Sequence, residues 1–536
     1  MKRWERVVPP AAGILVFLGA TAALMTISIH ATGGEFTYPL DDAYIHMAVA
    51  ENLVRHGTWG INPGEFASVS SSPLWTALLG GVRAVFGRLE TAPLVFNLIF
   101  GCLALLSFDG ILRKERMRAF ARTGLLTVFI FAVPLPTMAL SGMEHSLQIW
   151  LTLVFFAAMS GVVGPPAALK KKREGLILAL SAAALTACRY EGAFLVFAAG
   201  LVFLARRDVK RFILVGASSA FPILLFGIVS RMGGGAFLPN SLLLKGSRPE
   251  LGSIDGVVRS VGGTAVLGLI RNPLLLTVFL IGLALLALLP AGTFGMKEKH
   301  RPVIFLFLAT LVLHLQFSST GWLFRYEAWL IALGMAAYCV AISGFRPPIL
   351  SREARRRTAA VGLGLLASLP IIHRSYQAIQ QAPLASINIY EQQRQTAELI
   401  RRHFPGETVA LNDIGAVAYF TDNRILDVWG LASGEIARRK IRRTYTTEVL
   451  ERLVREQHAD IAVVSADFID VRGGLPPHWD NLGEWTIRDN VVCARDTVSF
   501  YATRPEARER LMTALRSYGR LLPPSVRQRG RYLQKE

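Results

Sequence analysis

The chain has 536 residues, 52% of them hydrophobic, and a mean hydropathy of +0.40. A soluble protein of this length is rarely so apolar, and several runs approach the roughly 20 apolar residues that cross a bilayer. The net charge of +20 invites a nucleic-acid reading, but the basic residues sit in short blocks between apolar runs, so nucleic acid is not expected as a partner.

The first apolar run, Pro10 to Ile29, follows Lys2, Arg3 and Arg6. More apolar runs follow it, so it reads as an uncleaved first helix rather than a signal peptide. Helices are expected at about 10–29, 92–107, 123–140, 147–163, 175–188, 192–205, 213–230, 273–290, 302–317, 327–343 and 359–372, which makes eleven spans. Residues 175–205 are read as two helices, because one helix would carry Arg189 and Glu191 to the bilayer centre. With two, the basic blocks at Arg113–Arg122, Lys170–Arg173, Arg206–Arg211, Lys297–Arg301 and Arg346–Arg357 all fall on the inner side. The N-terminus is then inside and the C-terminus outside.

The long outer loop, 30–91, should hold two surface helices. One runs from Asp42 to His56 and ends at Gly57; the other runs from Pro73 to Phe86 behind Ser72. A second outer loop, 231–272, carries Pro239-Asn240-Ser241 and Lys245, with an amphipathic stretch at 257–271. After residue 373 the apolar runs thin out and both signs of charge become dense. A helical pattern at 390–403, strand-like pieces at Thr408–Leu411, Ile425–Val428 and Ile461–Ser465, and a helix at Thr447–Gln457 predict a small α/β domain. The expected division is 1–373, a membrane domain, and 374–536, an extracytoplasmic domain. The 4 cysteines show no metal or disulfide spacing.

Polar motifs collect on the outer side. They are Asp41-Asp42, Ser141-Gly142-Met143-Glu144-His145, Arg189-Tyr190-Glu191, Lys245 and Arg325-Tyr326-Glu327. Charges near hydrocarbon are expensive, so charges that converge on one face point to a site. Each also has an ordinary structural use. An aspartate at a helix start answers exposed N–H groups and the dipole. Arg189 and Glu191 suit a private ion pair, and Lys245 and Arg325 suit interfacial snorkelling. Trp59, Trp75 and Trp322 suit an interfacial belt.

Carboxylates and cations beside a greasy groove suit sugar transfer from a lipid phosphate. The acceptor hydroxyl loses a proton as it attacks, which an aspartate can take. The leaving phosphate gains charge, which Arg or Lys can hold. The lipid tail needs an apolar groove.

The same residues resemble a known family. Asp41-Asp42-Ala43-Tyr44-Ile45, Glu51-Asn52-Leu53, Asn62-Pro63-Gly64-Glu65 and Ser72-Pro73-Leu74-Trp75 resemble the first outer loop of GT-C glycosyltransferases of the polyprenyl-phosphate arabinofuranosyltransferase type. Ser141-Gly142-Met143-Glu144, Arg189-Tyr190-Glu191-Gly192, Pro239-Asn240-Ser241 with Lys245, and Arg325-Tyr326 follow in order. Asn412-Asp413-Ile414-Gly415-Ala416 and Leu426-Asp427-Val428-Trp429-Gly430-Leu431 resemble motifs of the family's outer domain, so the likeness reaches about residue 470. His46, His145 and Tyr190 depart from the pattern, so pentose specificity does not carry over.

The resemblance implies a polytopic α-helical membrane protein of GT-C fold with a C-terminal α/β domain, in a bacterial cytoplasmic membrane. It implies an inverting transfer from a polyprenyl-phosphate-linked sugar to a glycan, lipid or protein acceptor. Asp41 takes the role of base and Asp42 supports it. Lys245, Arg189 and Arg325 are expected on the donor phosphate. Glu144, His145, Glu191, Tyr326, Tyr44 and Trp75 are expected on sugar or acceptor. No metal ligand motif is evident, and a divalent cation at Asp41, Asp42, Glu144 and His145 stays an open alternative. A transporter or flippase of a lipid-linked sugar is the second reading and an assembly scaffold the third; neither internal repeats nor midplane charges favour the former.

Overall fold

The computed structural model describes residues 3–162, 171–245, 263–288, 300–343 and 353–534. In chain order the first helices are α1 (Arg3–Ala31), α2 (Asp41–His56), α3 (Pro73–Phe86), α4 (Ala92–Lys114), α5 (Ala119–Ala132), α6 (Leu135–Leu140) and α7 (His145–Val162). Then come α8 (Lys171–Cys188), α9 (Gly192–Ala205), α10 (Val209–Met232), α11 (Asn240–Lys245), α12 (Thr264–Arg271), α13 (Pro273–Leu288), α14 (His300–Phe317), α15 (Ala328–Ser343) and α16 (Glu353–Ile389). The expected apolar runs are thus helical where described, with the break between α8 and α9 where the buried charges required it.

Two differ in detail. The run 123–140 is not one helix: it splits into α5 and α6 around Pro134, which has no N–H to give and whose ring crowds the preceding turn. The expected helix 359–372 is the middle of α16, which runs on through residue 373 to Ile389, so the change of composition there is not a break in the backbone. Of the amphipathic stretch 257–271, residues 257–262 lie outside the described residues and the rest is α12, bent 111° against α13.

By length and composition four described helices can each cross a membrane: Trp4–Ala31, Ala92–Lys114, Val209–Met232 and His300–Phe317. The bent pair α12 and α13 makes up to 5, and the other apolar helices have 10–17 residues. The count of eleven rests on the sequence pattern.

The surface helices form as their ends dictate. Gly57 closes α2 in the left-handed conformation, its N–H on the Leu53 carbonyl. Ser72 caps α3, with Oγ accepting from the Trp75 N–H at 3.4 Å, and Pro73 stands where no N–H is needed. Arg122, grouped above with an inner basic block, is not a loop charge: it is fully buried and donates to Asp109 at 2.8 and 2.5 Å, tying α5 to α4.

The C-terminal domain continues through a π turn (Tyr390–Arg394), α17 (Gln395–His403), β1 (Thr408–Leu411), α18 (Gly415–Phe420), β2 (Arg424–Asp427), α19 (Gly434–Ile441), α20 (Thr447–Glu456), β3 (Ile461–Val464), β4 (Asp480–Thr486), β5 (Thr497–Ala502), α21 (Arg508–Gly519) and β6 (Arg527–Arg529). The six strands form one sheet in the order β2-β1-β3-β5-β4-β6. β2, β1 and β3 are parallel, and the rest are antiparallel. The open β2 edge is covered by the outer loop: the Asn62 amide bonds both ways to the Ile425 backbone, at 3.0 and 2.9 Å. Asn240 of α11 reaches the Leu431 carbonyl at 3.0 Å. The C-terminal sheet domain therefore seats directly on the loops that carry the polar motifs.

Candidate active site

Asp41 begins α2, where the exposed N–H groups of a helix start favour a carboxylate. It also faces a second helix start. Its Oδ2 accepts from the Gly415 N–H at 2.7 Å and its Oδ1 from the Ala416 N–H at 2.8 Å, at the head of α18. Gly415 has to be glycine: a Cβ there would run into the main-chain oxygen and carboxylate of Asp41. Burial and the nearby Asp413 carboxylate push the Asp41 pKa up to about 7, against the pull of the two amides.

Asp42 turns the other way. Arg325 Nη2 donates to its Oδ2 at 2.7 Å and to the Tyr326 hydroxyl at 3.1 Å. Arg325 is 2% exposed, yet its Nε and Nη1 have no hydrogen-bond partner among the described residues. It follows a left-handed turn: Trp322, Leu323 and Phe324 have φ of 49°, 60° and 60°. Such a conformation costs about 1–2 kcal/mol per residue, so the surroundings must hold it. Glu327 accepts from the Gly321 N–H at 2.8 Å and from Arg374 Nη1 at 2.5 Å, and Arg374 Nη2 donates to the Phe324 carbonyl at 2.9 Å. The Glu327–Arg374 pair thus clamps the turn that aims Arg325. Replacing Arg374 with Met leaves Glu327 buried with its charge unanswered. The expected loss is about 3–5 kcal/mol of stability, read as a lower midpoint in thermal or denaturant unfolding of the protein in detergent.

A second charged cluster lies beneath. Arg189 donates to Glu144 at 2.6 Å and to Glu191 at 2.8 Å, and Ser318 reaches Glu191 at 3.4 Å. His46 stands 3.8 Å from Glu144 and 2.9 Å from Thr76. The glycine of the 141–145 motif has φ of +70°, and its bare Cα lets Tyr38 and Ala43, at the start of α2, come close.

Two cavities meet at this point. The first, of about 500 Å³, has Arg189, Glu191 and Arg325 on its polar wall and Phe194, Ile223, Leu242 and Phe317 on its apolar wall. The second, of about 440 Å³, lies between the membrane helices and the outer domain, with Asp41, Asp413, Gln393, Trp322 and Trp429 among its lining. Asp42, Ser319 and Tyr326 line both.

The expected site residues therefore divide. Asp41, Asp42, Arg189, Glu191, Arg325 and Tyr326 come together on the cavities. Glu144 and His145 are buried and line neither; Glu144 is committed to Arg189. The donor set considered for a divalent cation does not converge, and no group of three or more His, Cys, Asp or Glu among the described residues is arranged to hold a metal ion. Tyr44 and Trp75 present no stacking face to either cavity. Tyr44 accepts from the Tyr38 N–H at 3.1 Å and packs on Phe420, and Trp75 is fully buried against Phe96. Of the three tryptophans assigned to a belt, Trp322 lines the second cavity and Trp59 packs on Phe226. The side chain of Lys245 lies outside the described residues.

Sequence reasoning did not place Gln393, Asp413, Trp429 or Phe468 at the site. The signal for three of them was position. Asp413 follows β1, Trp429 follows β2 and Phe468 follows β3, so all three stand past the carboxyl ends of the parallel strands. Open α/β sheets bind ligands at that edge.

Residues 385–501 match a family model described as a domain of unknown function, DUF8728. No curated protein matches the chain in sequence. Among solved structures, ArnT from Cupriavidus metallidurans bound to undecaprenyl phosphate is 12% identical, with a TM-score of 0.51 over 92% of this chain and 98% of that one. This chain has a GT-C fold. The oligosaccharyltransferase of Archaeoglobus fulgidus, in complex with Zn and sulfate, is 11% identical with a TM-score of 0.46 over 90% of this chain and 73% of that one. The mycobacterial arabinofuranosyltransferase AftD is 13% identical with a TM-score of 0.42 over 91% and 41%. The likeness to ArnT covers 92% of this chain, so it runs through both the helices and the C-terminal sheet domain.

Proposed function

We propose that this chain is an inverting glycosyltransferase that moves a sugar from a polyprenyl-phosphate donor to an acceptor hydroxyl. Transfer takes place at the outer face of a bacterial cytoplasmic membrane, with the N-terminus inside and residues 374–536 outside. The observation that carries this is Arg325, a buried guanidinium whose Nε and Nη1 lack partners among the described residues, on the wall of a cavity whose other side is apolar. Leaving two buried donors unanswered is costly, and a phosphate on an isoprenoid chain answers both the charge and the apolar wall. ArnT, which shares the fold, holds undecaprenyl phosphate in its structure.

The acceptor enters the second cavity and meets the donor where Asp42 and Tyr326 line both. The acceptor oxygen attacks the anomeric carbon and its proton passes to Asp41. The bond from that carbon to the phosphate oxygen breaks, and the phosphate leaves with the electron pair, held by Arg325. One displacement inverts the anomeric centre. Asp41 already accepts one amide N–H on each oxygen, which orients it and leaves the other lone pairs for the acceptor hydroxyl. Arg189 carries its charge between two glutamates, so it shapes the polar wall while Arg325 takes the phosphate.

The test is a transfer assay in proteoliposomes with a panel of radiolabelled polyprenyl-phosphate sugars and a membrane extract as acceptor source. Label is expected in a glycosidic product from at least one donor. Movement of labelled lipid between leaflets with no glycosidic product would instead establish a flippase.

A further inference from the structure

The charged cluster around Arg189 contains a histidine that lines neither cavity. His46 lies on α2 four residues after Asp42, on the same helix face, and is 2% exposed. Its two ring nitrogens meet different kinds of group. Nδ1 faces two hydroxyls, Thr76 Oγ1 at 2.9 Å and Ser70 Oγ at 3.2 Å. Nε2 faces a carboxylate, Glu144 Oε2, at 3.8 Å. Ser70 Oγ also accepts from the Ser72 N–H at 3.1 Å and lies 2.9 Å from Thr76 Oγ1. The first turn of α3 and the residues before it therefore hold the ring on its Nδ1 side.

These partners select the tautomer. Burial lowers the His46 pKa; Glu144 and Asp42 pull it up, and Arg189 and Arg325 push it further down. The ring is therefore neutral and carries one N–H. A lone pair on Nε2 would face the Glu144 charge, whereas a lone pair on Nδ1 can accept from a hydroxyl. The N–H thus sits on Nε2, with its positive end toward Glu144. Glu144 is fully buried. Its Oε1 accepts from Arg189 Nη1 at 2.6 Å, and its Oε2 has no hydrogen-bond partner among the described residues, so the His46 dipole is what answers that oxygen. Arg189 stands on the polar wall of the donor cavity and donates to Glu191 from Nη2 and Nε at 2.8 and 3.3 Å. Glu191 belongs to the same turn as Arg189. Among the described residues Glu144 is therefore the carboxylate that ties this guanidinium to another part of the chain.

We infer that His46 is a positioning residue for the donor cavity: it fixes the Glu144 carboxylate, and through it sets where Arg189 stands on the cavity wall. It acts without touching the donor. This rests on the glycosyltransferase reading of that cavity and adds a residue to it. The opposite case is a purely structural one, in which His46 only fastens α2 to α3 through Thr76 and Ser70. The two cases differ in which ring nitrogen matters. A glutamine carboxamide reaches as far as Nε2, and an asparagine carboxamide only as far as Nδ1.

Binding of undecaprenyl phosphate to the full-length protein in nanodiscs is measured by thermal stabilisation. His46→Phe and His46→Asn are each expected to weaken it about tenfold, the scale of one hydrogen bond to a charged group. His46→Gln should bind close to the natural level. In a Glu144→Gln background His46→Phe should add little, because both changes cut the same link. Three results would overturn the inference: His46→Gln as weak as His46→Phe, rescue by His46→Asn instead, or losses in His46→Phe and Glu144→Gln that multiply in the double variant. Failure of undecaprenyl phosphate to bind the natural protein would count against the donor assignment. The same pair of substitutions read in unfolding midpoints then tests the contact by itself: non-additive shifts support it and additive shifts overturn it.

Discussion

Replacing Asp41 with Asn is expected to lower sugar transfer by about 10³-fold, within the range that a positioned general base supplies. The substitution keeps the shape and removes the proton acceptor. Asp41 also seats α18 through the Gly415 and Ala416 amides, so loss of activity alone would fit a docking role. Two further measurements separate the roles. The first is the pH profile. Burial and the Asp413 carboxylate raise the Asp41 pKa to about 7. A base acts only when deprotonated, so kcat/KM for the acceptor should fall about tenfold per pH unit below 7 and level off above it. The residual activity of Asp41→Asn should lack that limb. Among the described residues Asp42 and Asp413 are the other carboxylates lining this cavity, and a limb that survives in Asp41→Asn would move the base to one of them. The second is Gly415→Ala, which forces α18 away from Asp41 and leaves the carboxylate intact. It is expected to loosen the outer domain, seen as faster proteolysis, while the pH limb persists.

Arg325→Met should lower transfer by about 10²–10³-fold, the cost of removing one donor to a developing negative charge. The loss belongs mainly in kcat, because the charge on the leaving phosphate grows in the transition state. Arg325→Lys is expected to recover little. A single ammonium cannot hold Asp42 and Tyr326 through one nitrogen and offer two more in a fixed plane. The readout is kcat and donor KM, measured with the best donor of the panel. A variant that raises donor KM and leaves kcat unchanged would make Arg325 an anchor for the ground state only.

Much of the architecture was legible before any coordinates. Gly57, the Ser72-Pro73 start and the charged break at 188–192 each have local physical causes, and each appears where expected; the apolar runs are helical where described, but 123–140 splits at Pro134 and 359–372 is part of a longer helix. The strands of the parallel half were legible from their β-branched and apolar runs. The antiparallel half was not. β4 reads Asp-Asn-Leu-Gly-Glu-Trp-Thr and β6 is three residues long, so neither shows the alternation that marks a strand, and pairing with β5 decides both. The candidate site was half legible. Charges on successive outer loops announce convergence, because isolated charges there are costly. The choice among them was not announced, since Glu144 and Arg325 look equally polar in sequence.

The sequence by itself therefore determined a helical membrane protein with a mixed α/β C-terminal domain and an acidic pair at the head of a short helix. These follow from local composition, periodicity and end residues. Only the tertiary structure decided that Arg189 lies between two glutamates, that Arg325 pairs with Asp42 through one nitrogen and leaves Nε and Nη1 without a partner among the described residues, that Tyr44 and Trp75 are core, and that Asp413 and Trp429, far along the chain, complete the cavity. The physical reason is that a charge or a ring is assigned by its neighbours in space. Those neighbours are set by how the outer sheet seats on the loops, which no local pattern encodes.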